Sequence, residues 1–214
     1  MRNVIAAISL LLGTLLFRPT TGWAQDGGSG RIDTTEVLVV SRGLDSIRAD
    51  RERIGRFRGE ADGRYSNARA RLAETETQVE LFEKEIDAIN EKIKVAKKAK
   101  QEAEKTVLDA DKKTLERRKT LVERRRDLRR AEVELGQAEL DYSEEAIRAL
   151  DFEQQLERKR QDQADRALLI ELERKTLEAK VEQESRRKSL ADRRGRVVER
   201  QLSVMEAQEV FFKR

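Results

Sequence analysis

The side chains with the greatest chemical capacity in this sequence are charged, and they come in blocks. Lys112 to Arg130 holds ten basic and three acidic residues, and Glu132 to Glu153 holds eight acidic and one basic. Upstream, Glu74 to Glu91 is acidic and Lys92 to Lys100 is basic. The chemistry open to such blocks is ionic: contact with phosphates, solvation of a helix face, or alignment of an oppositely charged partner helix. Catalysis has far less to work with. Asp and Glu pairs recur at helical spacing throughout, so none is singled out, and a narrow helix offers no pocket to shift a carboxyl pKa. The 214 residues include no histidine and no cysteine. That removes the common zinc sites, the Ser–His–Asp and Cys–His nucleophile arrangements, and haem ligation by those residues. Gly27-Gly28-Ser29-Gly30 follows no strand, so it is not a phosphate-binding loop. The chain is expected to be no enzyme, and to use no cofactor, metal or small-molecule substrate.

A basic block beside a heptad pattern resembles a bZIP basic region. Here Arg117 and Arg124 stand at seam positions, the heptads run on both sides of the block, and no aromatic platform for bases accompanies it. No nucleic-acid partner is expected.

The element that must position these charges is a long helix. If Val37 is an a seat and Val40 a d seat, apolar residues fill 27 of the 36 a and d seats up to Lys159. The whole chain is only 37% hydrophobic, so the enrichment lies in one stripe. A stripe repeating every 3.5 residues is buried by supercoiling against a partner helix. The seam is expected at Val79, Phe82, Ile86, Ile89, Ile93, Val107, Leu121, Leu128, Leu135, Tyr142, Phe152 and Leu156. Alanine holds seven of the eighteen d seats, so the a seats carry most of the burial energy. Thr114, Arg117 and Arg124 interrupt the seam, either as a weak stretch or as a polar layer that sets register.

The expected fold class is all-α: long coiled-coil helices, as an extended rod or an antiparallel hairpin, with no globular core. As one helix, residues 34–213 would span on the order of 270 Å at 1.5 Å per residue. Folding back would put the tip between 130 and 166, lay Lys112–Arg130 against Glu132–Glu153, and bring Phe211 and Phe212 near Phe57 and Tyr65. From Arg64 onward only Gly136 and Gly195 are glycines and proline is absent, so no strong turn signal is seen. Three places are candidate joints: Gly136, the stretch Glu157 to Arg166, and a phase shift near 160–170. Beyond that shift the large apolar residues Ile170, Leu177, Val181, Val198, Leu202 and Met205 occupy a and e seats, a stutter or a change of partner.

The first residues point to export. Arg2, the uncharged run Val4 to Phe17 and the small residues Gly22 and Ala24 have the form of a signal peptide cleaved after Ala24; an uncleaved anchor is the alternative. The organisation expected is signal peptide 1–24, flexible linker 25–33, a glycine-containing helix 34–63, coiled coil 64–163 and a phase-shifted coiled coil 164–214. Asp33 and Glu36 suggest a capping box that starts the helix at Thr34, although 36–41 also reads as a β-strand. Gly43, Gly55, Gly59 and Gly63 should make residues 43–63 the loosest helix. Without cysteine there is no disulfide and no lipidation site.

In outline, a signal peptide, a brief apolar segment (Glu36 to Val40) and long charged helices are similar to the Skp (OmpH-like) periplasmic chaperones. That resemblance implies helical tentacles on a small β body and a holdase activity. The family's closing apolar β segment has no counterpart in Val210-Phe211-Phe212-Lys213-Arg214. The function expected is that of a periplasmic (or secreted) non-enzymatic scaffold, spacer or accessory subunit of the envelope, without stable membrane insertion. Its partner would be a second copy or an envelope protein. A holdase, or a coiled coil that positions or activates a cell-wall enzyme, is the alternative.

Overall fold

The computed structural model describes residues 39–212. Cleavage at Ala24, the linker and the helix start at Thr34 lie outside the described residues. Three helices make up nearly all that is described: α1 (Leu44–Lys98), α2 (Glu102–Gln161) and α3 (Arg166–Phe212). No strand occurs among the described residues, including 39–41, and the fold is all-α. Ala, Leu, Glu, Lys, Arg and Gln dominate this stretch, and they are strong helix formers. Residues 39–43 are not helical, and α1 starts after Gly43, whose backbone is extended. From there α1 runs through Gly55, Gly59 and Gly63 without a break.

The heptad phase continues across 100, but the helix does not. Lys100 adopts φ 59°. The Gln101 N–H donates to Ala96 O at 3.0 Å and the Lys100 N–H to Lys97 O at 3.2 Å, the paired bonds of a Schellman cap. The second break repeats the device. Gln163 adopts φ 52°, the Ala164 N–H donates to Lys159 O at 3.0 Å, and the Gln163 N–H to Arg160 O at 3.2 Å. Asp165 then caps α3, its Oδ2 accepting from the Ala167 N–H at 3.3 Å. Of the three candidate joints, Glu157 to Arg166 holds a turn. Gly136 does not, and the break at 99–101 is one the sequence reading missed. Both cap residues sit where glycine is usual, and a side chain in the left-handed region costs about 1–2 kcal/mol. Lys100→Gly and Gln163→Gly are therefore each expected to stabilise the protein by about 1 kcal/mol, read as an upward shift of the thermal midpoint.

Cross-helix ion pairs give the topology. Arg51 meets Asp151 at 2.7 Å, Arg64 meets Glu139 at 2.9 Å, and Lys119 meets Glu83 at 2.8 Å. Partner numbers fall as residue numbers rise, so α1 and α2 are antiparallel. So are α2 and α3, where Arg160 meets Glu173 at 2.7 Å and Lys180 meets Glu153 at 3.2 Å. The middle helix α2 packs on both neighbours, and among the described residues α1 and α3 do not pack on each other. The charge blocks do face opposite blocks, with other partners than a fold about 131–136 would give. Lys112–Arg130 lies along Glu74–Glu91 of α1 through Lys119–Glu83 and Arg130–Glu76. Glu132–Glu153 faces basic residues of α1 on one side and of α3 on the other.

Burial on α1 follows the expected stripe: Ile47, Ala61, Ala68, Val79, Ile93 and Ala96 are its buried residues, all on a or d seats. On α2 the same phase changes partner. Leu121, Leu128 and Ala131 pack with Val197 and Val204 of α3, while Gly136 meets Tyr65 of α1. At the far end Val39 is buried with Leu156 and Leu172, whereas Val40, the expected d seat, is 80% exposed. Phe57 packs edge-on to Tyr142 with centroids 6.2 Å apart, and Phe211 lies along α2 beside Arg117 and Arg124. The expected aromatic base of Phe57, Tyr65, Phe211 and Phe212 is not formed, because the turns lie near 100 and 163.

Candidate functional site

Most of the expected seam residues are covered. Val79, Ile93, Leu121, Leu128 and Leu156 are buried, and Phe82, Ile86, Ile89, Leu135, Tyr142 and Phe152 are half-buried. Val107 is not; it is 61% exposed near the α1–α2 turn. Thr114, Arg117 and Arg124 are exposed too, so they form no buried polar layer. The Thr114 hydroxyl donates to Ala110 O of its own helix at 3.1 Å. Arg117 and Arg124, with Leu121, Ala207 and Phe211, line an open groove of about 360 Å³ between α2 and α3. Their guanidinium groups extend from the edge of the seam to water, as long basic side chains do when their stems cover apolar surface.

Two acids on α2 went unnoticed in the sequence. Glu153 is 1% exposed, with Arg42 at 3.5 Å on one side and Lys180 of α3 at 3.2 Å on the other. Glu139, also buried, lies 2.9 Å from Arg64 of α1 and 3.7 Å from Arg194 of α3. A third tie comes from Arg160, which bonds Val39 O at 3.0 Å, Glu157 at 2.6 Å and Glu173 at 2.7 Å. Burial works against the Arg160 charge, but the bonds from Glu173 and Glu157 outweigh it and hold the group above its ordinary range. A hydrogen bond to Asp50 does the same for Arg42. Both stay charged at any physiological pH. Such pairs add little net stability, because desolvating a carboxylate costs about what the pairing gives. They link α2 to α1 and the segment before it on one side and to α3 on the other. The signal was present: Glu153 lies three or four residues from Ala149, Leu150 and Leu156, an acid within an apolar ring.

The surface that the fold leaves open is on α3. Its residues buried against α2 are Leu172, Thr176, Ala179, Leu190, Val197 and Val204, which occupy c and g seats of the register. Of the a and e seats expected to be the seam, Leu177 is half-buried against the Val39, Leu156 and Leu172 cluster; the others point away from α2. Ile170, Val181, Val198, Leu202, Met205 and Phe212 are each more than half exposed. The phase shift near 160–170 thus marks a helix break, after which apolar a and e residues face solvent. This stripe has two parts, Ile170 with Val181 and the run Val198 to Phe212, separated by Glu184, Lys188, Ala191 and Gly195. The second run is contiguous over about 21 Å at 1.5 Å per residue. Isolated exposed apolar residues need no explanation, but a contiguous stripe marks an interaction surface.

Among the described residues no helix is long and apolar enough to cross a membrane, and no cluster of acidic side chains is arranged to hold a metal ion. No family model, curated protein or solved structure matches the chain.

Proposed function

We propose that this protein is an exported, non-enzymatic scaffold, spacer or accessory subunit of the bacterial envelope, which works by packing the outer face of α3 against another helix in coiled-coil fashion. The observation that carries the reading is the exposed stripe at Ile170, Val181, Val198, Leu202, Met205 and Phe212. A helix apolar on two opposed faces has one face more than its own fold uses, and a second helix is the partner that a 3.5-residue repeat fits. The signal-peptide form of residues 1–24 supports export to the periplasm.

Capture from an envelope extract tests this. The wild-type protein is expected to retain a defined helical partner, itself or another envelope protein, and Leu202→Asp to lose it without a change in thermal midpoint. Leu202 is 55% exposed, so the new charge disturbs an interface and not the fold. Equal capture by wild type and variant would overturn the reading. A holdase would instead suppress aggregation of an unfolded outer-membrane protein at near-equimolar ratio.

A further inference from the structure

The two edges of the exposed α3 stripe carry opposite charge. Along one edge, on the b seats, stand Glu171, Glu178, Ser185, Asp192, Glu199 and Glu206. Along the other, on the d seats, Lys180, Arg187 and Arg194 occupy the centre, with Glu173 before them and Gln201 and Gln208 after. The stripe therefore has an acidic border and a basic border, and the borders choose among partner geometries. When two identical helices pack in parallel, the left edge of one meets the right edge of the other. When they pack antiparallel, like edges meet. In parallel the basic centre of one border meets the acidic centre of the other, Arg187 with Asp192 and Arg194 with Glu199, while Glu173 meets Glu178. Antiparallel pairing lays the border that carries five acids against itself.

We infer that the outer face of α3 binds α3 of a second copy of this chain, in parallel and in register. The inference rests on the proposed function and names its partner. In this pairing Arg187 of one copy faces Asp192 of the other, and Arg194 faces Glu199, the five-residue offset at which flanking charges meet in parallel coiled coils. Twofold symmetry doubles each pair. Arg194 is available: its link to Glu139 is a loose 3.7 Å, and its side chain is 59% exposed. Val198, Met205 and Phe212 then stack on their own counterparts, with Leu202 between them. At mid-stripe Glu184 and Lys188 stand on adjacent a and e seats, two successive polar layers of the kind that cost stability and fix register. Opposite to the stripe, α3 buries Leu190, Val197 and Val204 toward α2, so pairing needs no rearrangement of either copy.

The chain has no cysteine of its own, which makes disulfide trapping a clean test on the purified full protein. Met205→Cys alone is expected to form a covalent dimer on mild oxidation. A mixture of Val181→Cys and Met205→Cys chains is expected to give no disulfide between positions 181 and 205, the link that antiparallel pairing would form. Arg187→Glu with Arg194→Glu should weaken the dimer about tenfold, from several exposed charge pairs lost together. Adding Asp192→Lys and Glu199→Lys to the same chain should restore it, which misfolding would not allow. A disulfide joining positions 181 and 205, or failure of the reversed charges to restore pairing, would overturn the inference. A protein that is monomeric at micromolar concentration, yet loses an envelope partner on Leu202→Asp, would overturn the inference and leave the proposed function standing. Monomeric protein whose partner ignores Leu202→Asp would overturn both.

Discussion

Leu156→Asp is expected to cost on the order of 4 kcal/mol and to lower both the thermal midpoint and the helical signal, because it buries an unpaired charge. Leu156 is 0% exposed and packed with Val39 and Leu172. Three segments meet there: the chain before α1, the end of α2 and the start of α3. Neighbouring ties run from Ser41 to Glu157 at 2.8 Å and from Arg160 to Val39 O and Glu173. A charge at 156 should loosen all three. Val107→Asp, on the same a seats seven heptads earlier, should leave stability nearly unchanged, since Val107 is largely exposed. Urea unfolding followed by circular dichroism checks both. Equal loss in the two variants would mean that burial here follows the heptad letter and not the antiparallel packing of three helices.

Gly136→Val is expected to destabilise by about 1–3 kcal/mol through overpacking. An added Cβ would lie 3.0 Å from both Cα and Cβ of Tyr65. The first of these belongs to the α1 backbone, which cannot turn aside as a flexible side chain can. The strain therefore has to separate α1 from α2. Gly195→Ala is the control of opposite sign. Nothing lies within 4 Å of its Cβ position, so replacing a helical glycine should stabilise by up to about 1 kcal/mol. Paired thermal melts read the contrast. Stabilisation by both substitutions would show that α1 and α2 do not approach closely at Gly136.

What the sequence made legible was the kind of structure, and on α1 the buried face as well. Composition and period gave helices, and Ile47, Ala61, Ala68, Val79, Ile93 and Ala96 are buried where the stripe put them. The turns were not legible by the usual signal. A helix end is read from glycine, and here Lys100 and Gln163 take the left-handed position. A second signal was present and not used. Lys97 and Lys98 close α1 and Glu102 and Glu104 open α2, while Arg158, Lys159 and Arg160 close α2 before Asp165 caps α3. Bases then acids are what two successive helix dipoles favour. Phase gave no warning, since three turn residues between 98 and 102 happen to keep the seven-residue count. The α3 surface was half legible. Its a and e residues were found, but one period cannot tell a face that meets α2 from a face that meets something else. Only the placement of Leu190, Val197 and Val204 against α2 separates the two.

The central claim is that the outer face of α3 is where this protein meets its partner. A photo-reactive amino acid placed singly at Val181, Leu202, Val95 or Val107 in living cells tests it most directly. All four positions are exposed and apolar, and only the first two lie on the α3 stripe. Adducts of discrete mass are expected from 181 and 202, with none from 95 and 107. Adducts confined to 95 and 107, or equally strong at all four positions, would contradict the account.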